Sequence, residues 1–403
     1  MARAQPARLL TRGFVCVGIT AFLEFLCVGM VIPALPRFVV DDLGRGTFAV
    51  GVAVGIFAVG AVGSRPPAGR WGDQRGRRPL VTAGLVVTAV ATAGVGLIPN
   101  FWALLALRVL TGVGQALFFV GAATLAADLA PEERRGEALS VFSLPVYLGL
   151  GLGPALGEAV LHAGGASRVF EFAGLMVLVA LPVVPFLPDV RAVSAQAGAA
   201  GPRWLHPAGV GPGLVILLGV IGFIGFQAYV PLYADRIGLR DVQLIFLLYS
   251  GILMTARIIS ARWLDRLGYW HIAAYANVLV CFGLVTMSAV ARPAAVYAGL
   301  VPLAVGMAMQ YPALIALALA GSPEHERARV ISTFTAFFDV AQVAGGLILG
   351  AAASGFGERA VFLGGGISAA LAIVVLVLLP KRVPQQPIRA DAEPAVWAPP
   401  GAE

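Results

Sequence analysis

Gly69-Arg-Trp-Gly72-Asp73-Gln-Arg75-Gly76-Arg77-Arg78 lies between two long apolar runs, and its pattern returns further along the chain. Arg65, Arg70, Trp71, Asp73 and Gly76 recur 192 positions later as Arg257, Arg262, Trp263, Asp265 and Gly268. Pro131 and Glu132 return at the same offset as Pro323 and Glu324. One offset shared by two separate connections marks an internal repeat of half the chain.

The runs around this segment decide the fold class. Hydrophobic residues make up 59% of the 403-residue chain and charged residues 12%, where a soluble domain carries about 25% charged residues. A water-facing surface cannot be covered with so few charges. A membrane span needs about 20 mainly apolar residues to cross roughly 30 Å of hydrocarbon. Twelve stretches meet that condition: 14–36, 47–68, 79–98, 101–126, 138–161, 169–187, 209–233, 242–263, 272–291, 295–319, 331–353 and 361–379. Because lipid satisfies no free backbone group, each must be a helix. The chain therefore reads as an all-α integral membrane protein with twelve transmembrane helices in two pseudo-symmetric six-helix bundles, a layout used by membrane transporters.

Arginine placement gives the topology. The even-numbered connections hold Arg70, Arg75, Arg77, Arg78, Arg134, Arg135, Arg191, Arg203, Arg262, Arg266, Arg327 and Arg329, while the odd ones hold fewer basic residues. Under the positive-inside rule both termini face the cytoplasm of a multi-pass protein in the cell membrane. Arg3, Arg8 and Arg12 precede the first apolar run as in a signal peptide, but the run continues to Pro36 without a small-residue cleavage pattern. It reads as a retained first helix. The domains follow as 1–188 for the first bundle, 189–207 for a cytoplasmic linker rich in Ala and Gly, 208–380 for the second bundle, and 381–403 for a Pro-rich disordered tail.

The segment Gly69, Gly72, Asp73, Arg75, Gly76, Arg77 and Arg78 resembles the signature loop of the major facilitator superfamily. Glycines there allow a tight turn and close helix approach. Asp73 can face the positive N-terminal end of a helix from the other half, near Ile331, and latch the cytoplasmic side shut with help from Arg77. Asp265, Arg266 and Gly268 are the repeat's version of this gate. For Arg77 and Arg78, topology alone is an alternative reading. In the fourth span Leu104, Arg108, Thr111, Gly112 and Gly114 are similar to the family's second motif, with Thr111 where a Gln is usual. In the fifth, Gly149, Gly153, Pro154 and Gly157 resemble the motif of its antiporters, with Glu158 in place of a glycine. The alternative for these glycines is close packing alone. Gly29 to Pro36 adds a likeness to the twelve-span drug/proton antiporters of the superfamily.

That resemblance implies a cavity lined by the first, fourth, seventh and tenth helices, which puts Glu24 and Arg108 on cavity helices. Ionisable groups inside a membrane are costly and mark pathways by default. Glu24 is accordingly the first candidate for proton coupling, Asp339 the second and Arg108 an electrostatic modulator; a structural acid bonded to a neighbouring helix is the alternative for Glu24. Asp339 has Tyr147 as its repeat counterpart. Glu158 and Glu171 fall nearer the outer surface and read as solvated. Gln115, Tyr147, Gln227, Tyr229, Gln310, Tyr311 and Phe338 are candidates for a mixed apolar and polar substrate pocket.

Several function classes are set aside. The sole lysine, Lys381, is not in a phosphate-binding loop, so the chain cannot hydrolyse ATP through one. His162, His206, His271 and His325 are isolated and the cysteines lack ligand spacing, so no metal, cofactor or catalytic residue is expected. Scattered arginines exclude a nucleic-acid face. The expectation is a functional monomer in the bilayer with a small-molecule substrate and protons as partners. It would be a proton-coupled exporter of amphiphiles or drugs; uptake of a sugar, organic acid or other metabolite is the alternative, and a membrane enzyme the third class.

Overall fold

The computed structural model describes residues 11–131, 134–189, 205–239, 241–320, 322 and 326–379. The tail expected over 381–403 and most of the expected linker lie outside them. Among the described residues, twelve helices long and apolar enough to cross a membrane follow one another. The first half comprises α1 (Arg12–Arg37), α2 (Thr47–Arg75), α3 (Arg77–Leu97), α4 (Phe101–Asp128), α5 (Arg135–Gly164) and α6 (Ala166–Leu178). The second comprises α7 (Pro207–Arg236), α8 (Val242–Leu267), α9 (Tyr269–Ala289), α10 (Pro293–Leu319), α11 (Arg327–Phe356) and α12 (Glu358–Leu378).

Two boundaries depart from the apolar pattern. α2 runs on to Arg75 rather than stopping at 68, so most of the glycine-rich segment is helix and the turn itself is Gly76, at φ +97°. An arginine in a last helical turn meets the negative end of the helix dipole, which helps the polar end to continue past the apolar layer. In the opposite sense, α6 gives way at Leu178 to a 3₁₀ turn over Leu181–Phe186. Pro182 and Pro185 lack the amide hydrogens that would carry the α-helix on.

The internal repeat is legible in the backbone. Gly76 and Gly268, at φ +97° and +78°, make equivalent turns into α3 and α9. Gly165 and Gly357, again 192 positions apart, turn into α6 and α12 at φ +83° and +81°. A left-handed residue at each site suits glycine and few others. We call the end with the α2–α3 and α8–α9 turns the basic face, and the other the opposite face.

Candidate functional site

At the basic face the Arg77 side chain is buried and ties three elements together. It meets Asp73 at 2.8 Å and Asp128, at the end of α4, at 3.4 Å. Gly72 permits this, since a Cβ there would lie 2.9 Å from Arg77 Nη1 and 3.0 Å from Leu80 Cδ2. Asp73 is 60% exposed and engages Arg77 rather than α11. Arg75 is exposed, Arg78 half-buried, and a Cβ on Gly69 would meet nothing within 4 Å. The side chains of Asp265 and Arg266 lie outside the described residues.

The glycines of α5 pack against α1 inside the first half. A Cβ on Gly149 would lie 2.6 Å from the Phe22 carbonyl oxygen, and one on Gly153 would lie 2.6 Å from Leu26 O and Gly29 Cα. Gly157 abuts the Met30 backbone and Pro154 lies against Gly29. Removing side chains at this spacing lets two backbones touch, as in tight helix pairs elsewhere in membranes.

Just along α1, Glu24 is 0% exposed, and neither carboxyl oxygen has a hydrogen-bond partner. Thr88 of α3 is its polar neighbour, the hydroxyl placed to hydrogen-bond the carboxyl, although the pair lies outside strict hydrogen-bond geometry in this arrangement. Arg108 does not pair with Glu24. Its Nε donates to the Ala53 carbonyl at 3.2 Å and its guanidinium lies 4.8 Å from the centre of the Phe57 ring, both on α2. The second half fills its interior differently: Gln310 Nε2 donates to Asn277 Oδ1 at 2.8 Å, and Asn277 donates on to the Ala273 carbonyl.

The two halves meet along α2 with α11 and α5 with α8. Near the opposite face Gly51 abuts Gly346 and Gly350, and a Cβ on Gly55 would sit 3.1 Å from the Val343 carbonyl oxygen. Tyr229 Oη donates to the Thr47 carbonyl at 2.8 Å. Arg37, at the end of α1, donates from Nη1 to both oxygens of Glu158 at 2.8 Å, and from Nε and Nη2 to Asp235 of α7 at 3.1 Å. Glu158 is therefore not a solvated surface acid: it is 0% exposed and held by Arg37. Glu171 is exposed. Sequence reasoning passed over Arg37 and Asp235, since nothing in an isolated loop charge shows which loop it will meet.

Toward the basic face, about ten residues inside the end of α2, Arg65 forms an ion pair with Asp339 of α11. The repeat-equivalent Arg257 of α8 lies 4.4 Å from the centre of the Tyr147 ring of α5. Tyr311 of α10 is within electrostatic reach of all four and packs edge-on to Phe334 and Phe338, at 5.4 and 6.2 Å. Tyr147, Tyr311 and Phe338 are thus brought together. Gln115 and Gln227 are half-buried. Two of the expected pocket residues are engaged elsewhere: Gln310 is turned into the second half toward Asn277, and Tyr229 is spent on closing the opposite face.

Comparison with known proteins accords with this geometry. Residues 17–337 and 278–402 match the Major Facilitator Superfamily. An uncharacterized MFS-type transporter of Escherichia coli, YhhS, is 24% identical over 377 residues, covering 90% of this chain and 91% of that protein. Among solved structures, the nucleoside transporter NupG superposes with a TM-score of 0.75 at 11% identity, over 90% of this chain and 98% of that one. The human organic anion transporter MFSD10 gives 0.65 at 19% identity, over 91% and 99%. With the signature turn, the repeat and the paired bundles all present, the chain belongs to the major facilitator superfamily of membrane transporters.

Proposed function

We propose that this transporter is a proton-coupled exporter of small amphiphilic molecules, working as a monomer in the cell membrane with both termini and the basic face in the cytoplasm. The observation that carries the reading is Glu24: a carboxyl on α1, fully buried, with no cation among the described residues paired to it and only the Thr88 hydroxyl beside it. An ionised carboxylate without a cation is costly in such surroundings, so burying Glu24 and taking up a proton are coupled events. Re-exposure in another arrangement of the halves releases it. That cycle is what exchange of a proton against a substrate requires.

Asp339 is the second coupling candidate, and its bond to Arg65 makes it the less free of the two. Arg108, half-buried beside Phe57, biases the field around the cavity. Asp73 with Arg77 forms the cytoplasmic latch, docking toward α11 when that side closes. Direction rests on the resemblance of the α5 glycines to the antiporter motif. The fold does not choose a substrate, since its relatives include a nucleoside transporter and an organic anion transporter. Proteoliposomes with an imposed pH gradient test the reading: dyes and antibiotics should move against the proton flow, and sugars taken up with it would replace export by uptake.

A further inference from the structure

Arg65 and Arg257, at the seam between the halves, are equivalent in the repeat but not in their surroundings. Arg65 faces a carboxylate, Asp339, whereas Arg257 faces the ring at Asp339's counterpart position, Tyr147. A cation over a phenol ring gains far less than removing a full charge from water costs. No carboxylate among the described residues pairs with Arg257. It stands half-buried, about ten residues or roughly 15 Å inside the end of α8, at the seam where the halves must part for a substrate to enter.

The surroundings define what would satisfy it. Two guanidinium groups and one carboxylate leave one positive charge uncompensated. Tyr311, within electrostatic reach of Arg257, and Phe338, set edge to face against it, supply an apolar wall, and Tyr147 a phenol. We infer that Arg257, with Tyr147, Tyr311 and Phe338, binds the anionic group of an amphiphilic monoanion, such as a carboxylate on an aromatic skeleton, while Arg65 and Asp339 hold the site to a single net positive charge. The guanidinium takes the anion through paired N–H donors, and the rings take the apolar body. This rests on the export reading above and narrows its substrate to organic anions.

The test uses the full chain in lipid nanodiscs. The probes are 4-phenylbutyrate and naproxen, their neutral amides, and 4-phenylbutylamine as a cation, with affinity read from thermal stabilisation. The acids should bind, and the amides and the amine should not. Arg257→Gln should weaken the acids at least about ten-fold, the scale of one charge-assisted contact, and Arg257→Lys less. Tyr147→Asp, which gives Arg257 the partner that Arg65 already has, should also abolish acid binding while leaving the arginine charge and the fold in place. Amides or amine binding as well as the acids would overturn the site, as would failure of both acids to bind. Acid binding unchanged in both Arg257→Gln and Tyr147→Asp would overturn it too. Proton-driven transport of the amine without acid binding would remove the anion site and leave the export reading standing. Arg257-dependent acid binding without any proton dependence would do the reverse.

Discussion

Arg65 of α2 and Asp339 of α11 close an ion pair between the two halves, at positions whose repeat equivalents, Arg257 and Tyr147, meet as cation and ring. The halves thus share a contact geometry while differing in its charge. Asp339→Asn should cost on the order of 1–3 kcal/mol, because it strips a charge-assisted bond and leaves Arg65 without a partner. Adding Arg65→Gln should recover part of that loss, since removing both partners is cheaper than removing one. Thermal unfolding of the two single variants and the double variant measures it, and strict additivity would show that the pair contributes nothing.

Arg37 gathers Glu158 and Asp235 and so links α1, α5 and α7 at the opposite face. Arg37→Gln should loosen that closure and populate the arrangement open there. A cysteine at Val343, beside Gly55, reports it in a protein lacking its own cysteines. Labelling by a membrane-impermeant thiol reagent should quicken several-fold, and an unchanged rate would mean that the glycine seam of α2 and α11 holds the face shut alone.

Gly153 has no room for a side chain, because a Cβ would press on Leu26 O and Gly29 Cα, both backbone. Gly153→Ala should force α1 and α5 apart at a cost of about 1–3 kcal/mol. Gly63→Ala, where a Cβ meets nothing within 4 Å, should be neutral or stabilise by about 0.5–1 kcal/mol. Paired melting curves check both, and equal midpoints would contradict the packing argument.

Asp73 is exposed and bound to Arg77 in this arrangement. If it latches the basic face in another, Asp73→Asn should insert normally but slow transport and hold that face open. Spin labels near the basic ends of α2 and α11 should then show a longer mean distance than in the unmodified chain during turnover. Normal turnover with the same distances would argue against a latch.

The fold was legible because its causes are local. Apolar length gave the spans, and the offset shared by two connections gave the repeat that the Gly76 and Gly268 turns display. The site was legible only in part. Tyr147, Tyr311 and Phe338 were expected to line a pocket, and Tyr311 packs edge-on to Phe338 with Tyr147 nearby, but Gln310 looks alike in sequence and is drawn aside by Asn277, thirty-three positions away. Arg65 and Arg257 stood out as repeat markers, and their importance depends on which residue of the other half each one faces. Glu158 likewise reads as a surface acid until Arg37 is seen to reach it. Contacts between helices distant in sequence leave no periodic trace.

Glu24 carries the central claim, that burial of an acid without a paired cation couples this transporter to protons. Glu24→Gln keeps size and hydrogen-bonding capacity but cannot titrate. The decisive measurement is concentrative transport in proteoliposomes under an imposed pH gradient, comparing this variant with the unmodified chain. The account predicts that Glu24→Gln still exchanges substrate down its own gradient but no longer concentrates it when only a pH gradient is supplied. Concentrative transport at the unmodified rate and with the unmodified pH profile would contradict it and turn attention to Asp339.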